Sequence, residues 1–80
     1  MTEKKRQLII AAVAECTGLA TTPVKSDDGK CWILPQMHSK EHYKQIIECI
    51  KKNPWNNSFQ KRGLHQPRVR REGGNIILTT

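Results

Sequence analysis

Two adjacent glycines, Gly73 and Gly74, separate the run Arg68-Val69-Arg70-Arg71 from the run Ile76-Ile77-Leu78-Thr79, with Glu72 and Asn75 beside them. Glycine enters positive φ at both positions without steric cost, and a two-residue loop of that kind joins antiparallel strands without splaying them. The pattern predicts a β-hairpin over residues 68–79 and fixes its register: Arg71 opposite Ile76, Arg70 opposite Ile77, Val69 opposite Leu78, Arg68 opposite Thr79. Strand side chains alternate between faces, so Val69 and Leu78 form the core-facing pair while Arg68 and Arg70 point the other way. One arm is basic and the other apolar.

The helical signals lie upstream. Tyr43, Ile46, Ile47 and Ile50 repeat at i, i+3, i+4 and i+7 behind an N-cap candidate, Ser39, with Glu41 in the first turn. Lys44 with Glu48 and Glu48 with Lys52 are i,i+4 pairs on its outer side. An earlier helix is expected from Glu3 to Thr17, burying Leu8, Ile9, Ala12, Val13 and Cys16. Gly18 serves as its left-handed cap, with Leu19 folding back on the last turn. Lys4, Lys5 and Arg6 oppose the dipole of its first turn, so they are either frayed or used.

Between these helices, Asp27-Asp28-Gly29 marks a hairpin turn leading into a strand over Lys30 to Leu34, ended by Pro35. After the second helix, Asn53-Pro54 restarts the chain, and Gly63 offers a left-handed stop. A short helix over Pro54 to Arg62 is therefore expected, with Asn53 as N-cap, Trp55 and Phe59 as its buried edge, and Leu64 folded onto Phe59. Asn56, Asn57, Gln60 and Lys61 are left for solvent.

The fold class is α+β, in a single domain over residues 1–80. A chain of this size buries only about 60% of its unfolded surface and has little room for an enclosed catalytic cleft. The longest apolar run, Leu8 to Ala14, is too short to span a bilayer, so no membrane role is expected. It follows three basic residues as in a signal peptide, but Glu15 interrupts it where a small residue is wanted before a cleavage site. Cys16, Cys31 and Cys49 are odd in number and irregularly spaced, which predicts no disulfide framework and a cytoplasmic protein.

Charge is segregated. From Lys51 to Arg71 there are seven basic residues and no acidic one, which accounts for the whole net charge of +7. That points to a polyanion, and nucleic acid is the commonest. The element order helix, strand, helix, short helix, strand, strand is similar to the winged helix-turn-helix plan, a likeness of order and not of residues. On that plan the protein is a duplex-DNA-binding regulator or accessory factor, with DNA favoured over RNA, and a homodimer if it is to reach useful specificity. Asn56, Asn57 and Gln60 would bond adenine, Lys61 or Arg62 guanine, and Lys51, Lys52, Arg68, Arg70 and Arg71 phosphates.

Two rival classes remain. A small inhibitor or adaptor would dock its basic face on a protein partner, since charge alone does not separate phosphates from carboxylates. A toxin-type ribonuclease would use His65 beside Arg62 and Arg68, but the basic stretch holds no carboxylate to orient the imidazole or act as base. No enzymatic activity, cofactor or metal is expected. His38 and His42 with Cys31 and Cys49 lack the paired spacing of a zinc site.

Overall fold

The computed structural model describes residues 2–35 and 39–80; His38 lies outside the described residues. Helices α1 (Thr2–Thr17) and α2 (Lys40–Lys52) cover one face of an antiparallel sheet. The sheet consists of β1 (Val24–Lys25), β2 (Trp32–Leu34), β3 (Arg68–Glu72) and β4 (Asn75–Thr79), in the order β1-β2-β4-β3. The architecture is α+β in two layers.

The core joins Ile9, Ala12 and Val13 of α1 and Ile46 and Ile50 of α2 to Trp32, Leu34, Ile76 and Leu78 of the sheet, with Phe59 and Leu64 closing one side. Except for Ile47, which is only half-buried, the helical stripes bury as their spacing predicts: Leu8, Cys16 and Tyr43 pack at the rim of the same cluster. Ser39 caps α2 by accepting a hydrogen bond from the His42 N–H, and Lys51 and Lys52 end the helix with the sign its dipole favours.

Two of the three cations in the first turn of α1, Lys5 and Arg6, make structural contacts, and Lys4 is exposed. Lys5 Nζ donates to the Thr80 carbonyl at 2.7 Å, and Arg6 Nε donates to the Pro23 carbonyl at 3.3 Å. Arg6 also pairs with Glu3 at 2.8 Å. At the other end Gly18 takes φ +77 and donates to the Ala14 carbonyl at 2.7 Å. Leu19, expected to fold back, is 41% exposed instead. The Gly18 αL bond closes this helix, and the Leu19 N–H donates to the Thr17 hydroxyl at 3.2 Å instead of to a last-turn carbonyl, so residue 19 is not drawn over the last turn.

Both hairpins form. Val24 pairs with Ile33 and Lys25 with Trp32 across the Asp-Gly loop. Inside it, Asp28 Oδ1 accepts from the Ser26 hydroxyl and from the Lys30 N–H. The Cys31 N–H donates to Ser26 Oγ at 3.1 Å. These loop bonds absorb residues 30 and 31, so the strand starts at Trp32 and not at Lys30. At the C-terminal hairpin all four expected pairs stand in register, and Glu72 with Asn75 adds a fifth. Gly73 and Gly74 have φ +58 and +81, as a two-residue loop of this hand requires.

The expected helix over Pro54 to Arg62 is not formed. Asn53 to Asn56 make a turn closed by the Asn56 N–H on the Asn53 carbonyl at 3.3 Å, and regular structure resumes only as a 3₁₀ turn, Gln60–Arg62. Phe59 is fully buried, as expected, but Trp55 is 90% exposed, not part of the core. The C-terminal cap survives intact. Gly63 N–H donates to Gln60 O at 3.0 Å and Leu64 N–H to Phe59 O at 3.1 Å, the two bonds of a Schellman motif, with Phe59 and Leu64 both in the core.

The cysteine reading also fails. Cys16 and Cys49 form a disulfide across the last turns of α1 and α2, with Cα atoms 5.7 Å apart, while Cys31 is free and buried. Side-by-side packing of the helices brings together two residues whose spacing in the chain carries no such signal. With it goes the cysteine argument for a reducing compartment. No helix of the described residues is long and apolar enough to cross a membrane.

Candidate nucleic-acid interface

Strand β3 is an edge of the sheet, and its arginines alternate around that edge. Arg71 shares a face with Val69 and the helices, whereas Arg68 and Arg70 share the open face with Thr79 and Ile77. Lys40, Tyr43 and Lys44 of α2 meet Arg70 and Arg71 around one depression. Arg70 is shared with a second depression, lined also by Lys30, Cys31, Arg68, Val69 and Thr79. Among the described residues neither has a carboxylate in its wall. Cations along β3 thus flank the edge on both sides, and such charge also guards an edge strand against unwanted pairing.

Arg70 is partly committed: its Nε donates to Glu72 Oε2 at 2.9 Å in an exposed pair. On the open sheet face it shares a third depression with Asp27, Asp28 and Glu72, whose carboxylates oppose its charge. The hydroxyl of Ser26 and the N–H of Lys30 hold the Asp28 carboxyl below the usual range and keep it charged.

The other half of the basic stretch is balanced in space by acidic groups that lie far away in sequence. Arg62 donates through Nη2 to Glu15 at 2.7 Å and through Nη1 to the Ser58 carbonyl at 2.8 Å. Hydrogen bonds from Arg62 and from the Ser58 hydroxyl lower the Glu15 pKa, and the Lys61 charge adds to this. Lys52 lies beside Glu15 and Glu48 around the disulfide. Lys51, Lys52, Asn56 and Lys61 are exposed, yet none lines either depression along β3.

The expected amide face is largely turned inward. Asn57 is only 2% exposed, and its Oδ1 accepts from the Phe59 and Gln60 N–H groups at 3.0 and 3.2 Å. Gln60 Oε1 accepts in return from the Asn57 N–H at 3.4 Å, while its Nε2 donates to Gln66 at 2.8 Å. This is a capping box, and Asn57 and Gln60 are spent on it. Arg62 is likewise held. Of the residues assigned to base reading, Asn56 and Lys61 stay exposed.

Lys40, Lys44 and Lys30 line the same depressions although they fall outside the basic run of the sequence. The available signal was the i,i+4 spacing of Lys40 and Lys44 around Tyr43 on the outer side of a helix. Lys44 had been assigned to Glu48, but among the described residues it closes no ion pair. No group of three or more His, Cys, Asp or Glu among the described residues is arranged to hold a metal ion. Compared with known protein families, with curated proteins and with solved structures, the chain matches none.

Proposed function

We propose that this protein binds nucleic acid through its phosphates, using the β3–β4 hairpin as a wing against the N-terminal half of α2. The observation that carries this reading is the pair of adjoining depressions along β3. Among the described residues, Lys30, Lys40, Lys44, Arg68, Arg70 and Arg71 line them with no carboxylate in either wall, although Glu72 pairs with Arg70. Arginine forks suit phosphate oxygens, and each cation that replaces a condensed counterion adds affinity through counterion release.

The expectation of duplex DNA rested on a helix that reads base edges. With residues 57–63 folded as a capped turn that holds Asn57, Gln60 and Arg62, the base-reading set is reduced to Asn56 and Lys61, and the grouped cations along β3 suit phosphate, which does not select sequence. The winged plan is kept for its wing and loses its recognition helix. A sequence-specific regulator is correspondingly less well supported than a backbone-tracking binder.

The test is binding of a labelled 20-base-pair duplex and its single strand by fluorescence anisotropy across a salt series. Affinity falls steeply with salt, and Arg68→Ala, Arg71→Ala and Lys44→Ala each weaken binding for every sequence and flatten the salt slope by about 1. Lys61→Ala, beside Glu15, has a smaller effect. Absence of salt-dependent binding to either strand form sinks the reading and favours docking on a protein partner.

A further inference from the structure

Trp55 is the feature that the fold leaves unexplained. It is 90% exposed, whereas Trp32 is buried beneath Lys25, with the ammonium 4.8 Å from the ring centre. The side chain is not displayed on a loose loop. Pro54 fixes φ immediately before it, and the Asn56 N–H closes the turn on the Asn53 carbonyl at 3.3 Å. Lys51, Lys52 and Asn56, all exposed, surround it in sequence, and the disulfide anchors the helix from which the turn springs. A large aromatic surface carried in water on a short turn, with lysines close by in sequence, leaves both ring faces open to a stacking partner.

We infer that Trp55 stacks on an unpaired base of a nucleic acid whose phosphates lie along β3. This rests on the nucleic-acid reading above and adds to it a preference for unpaired strands. An indole face stacks on any base, so the contact is sequence-tolerant, and in a duplex the base faces are already occupied. The lysines beside it suit a polyanion better than an apolar groove. The molecule measures 30 × 29 × 19 Å, so a 12-nucleotide strand, roughly 40 Å long at the duplex rise of 3.4 Å per nucleotide, can reach both places.

The experiment measures affinity for a 12-nucleotide single strand and for its duplex at one salt concentration, with wild type, Trp55→Phe, Trp55→Ala and Arg71→Ala. ¹⁹F spectra of 5-fluorotryptophan-labelled protein are recorded in parallel, with the Trp55 resonance assigned by its absence in Trp55→Phe. Trp55→Ala should weaken single-strand binding by roughly 5- to 150-fold. It should leave the duplex within twofold and keep the salt slope, since no charge is removed, while Trp55→Phe retains most of the affinity. The Trp55 resonance should shift on adding the single strand, and that of Trp32 should not.

If Trp55→Ala binds both forms as wild type does while Arg71→Ala weakens both, stacking is wrong and the phosphate reading stands. Equal losses on single strand and duplex also overturn it. If wild type binds neither form, both readings fall together. Because Trp55 is exposed, its variants should unfold at the wild-type denaturant midpoint, which separates lost binding from lost folding.

Discussion

The C-terminal hairpin and the segment 53–64 meet the same requirement, partners for backbone N–H and C=O groups, by opposite means. In the hairpin the ladder repeats residue by residue, and two glycines set the register of all five pairs. In 53–64 each backbone group is served separately: the Asn57 amide caps two N–H groups, Gln60 caps a third, and Arg62 holds the Ser58 carbonyl. A repeating ladder can be specified by its turn alone. A chain of single-use contacts depends on whatever packs beneath it, here Phe59, fully buried in the core.

The largest perturbation should therefore come from below the irregular segment. Phe59→Ala is expected to cost about 3–5 kcal/mol in urea unfolding, because a fully buried ring is lost and its site cannot collapse freely. Reducing the Cys16–Cys49 disulfide comes next, at about 2–4 kcal/mol. Its signature is regional: hydrogen exchange should quicken at residues 57–63, which follow Cys49, before it quickens at 69–71 and 76–78. Uniform acceleration would erase the contrast between the two regions.

In the hairpin, Gly74→Val should cost about 1–2 kcal/mol, since a β-branched residue is forced to φ +81. No neighbouring atom lies within reach of the added Cβ, so the penalty is one of backbone strain. In the irregular segment, Asn57→Ala should cost about 1 kcal/mol and Asn53→Ala much less. The reverse order would mean that a helix starting at residue 54 is the stable form after all.

The smallest effect concerns Glu15. Its pKa is lowered in the folded state by Arg62 and Ser58, so it contributes stability above the ordinary glutamate range, about pH 4.3, and that contribution is lost as pH falls through the lower folded value. Glu15→Gln should flatten stability between neutral and acid pH, measured by urea midpoints from pH 7 to 3, and leave the hairpin register unchanged.

Much of this contrast was legible in the residues. Gly73-Gly74, the Ser39 cap, the isoleucine spacing of α2 and the Gly63 stop each act through backbone conformation within a few residues, and each is formed. The 53–62 helix was misread because two start signals compete there. Asn53-Pro54 announces a helix, but so does Asn57 with Gln60 three residues later. Two asparagines in the first turn weaken the longer form. Burial of Phe59 without Trp55 then favours the shorter one.

By itself the sequence determined the local geometry: two helices, the second strongly amphipathic, two hairpins and the register of the second, because turns, caps and periodicity operate over short separations. Only the tertiary structure decided which charges survive. Glu15 reaches across to Arg62 and Cys16 to Cys49, and Lys40 and Lys44 join the arginines of β3. Electrostatic fields and cross-links depend on distance in space, which a run of like charges along the chain does not measure.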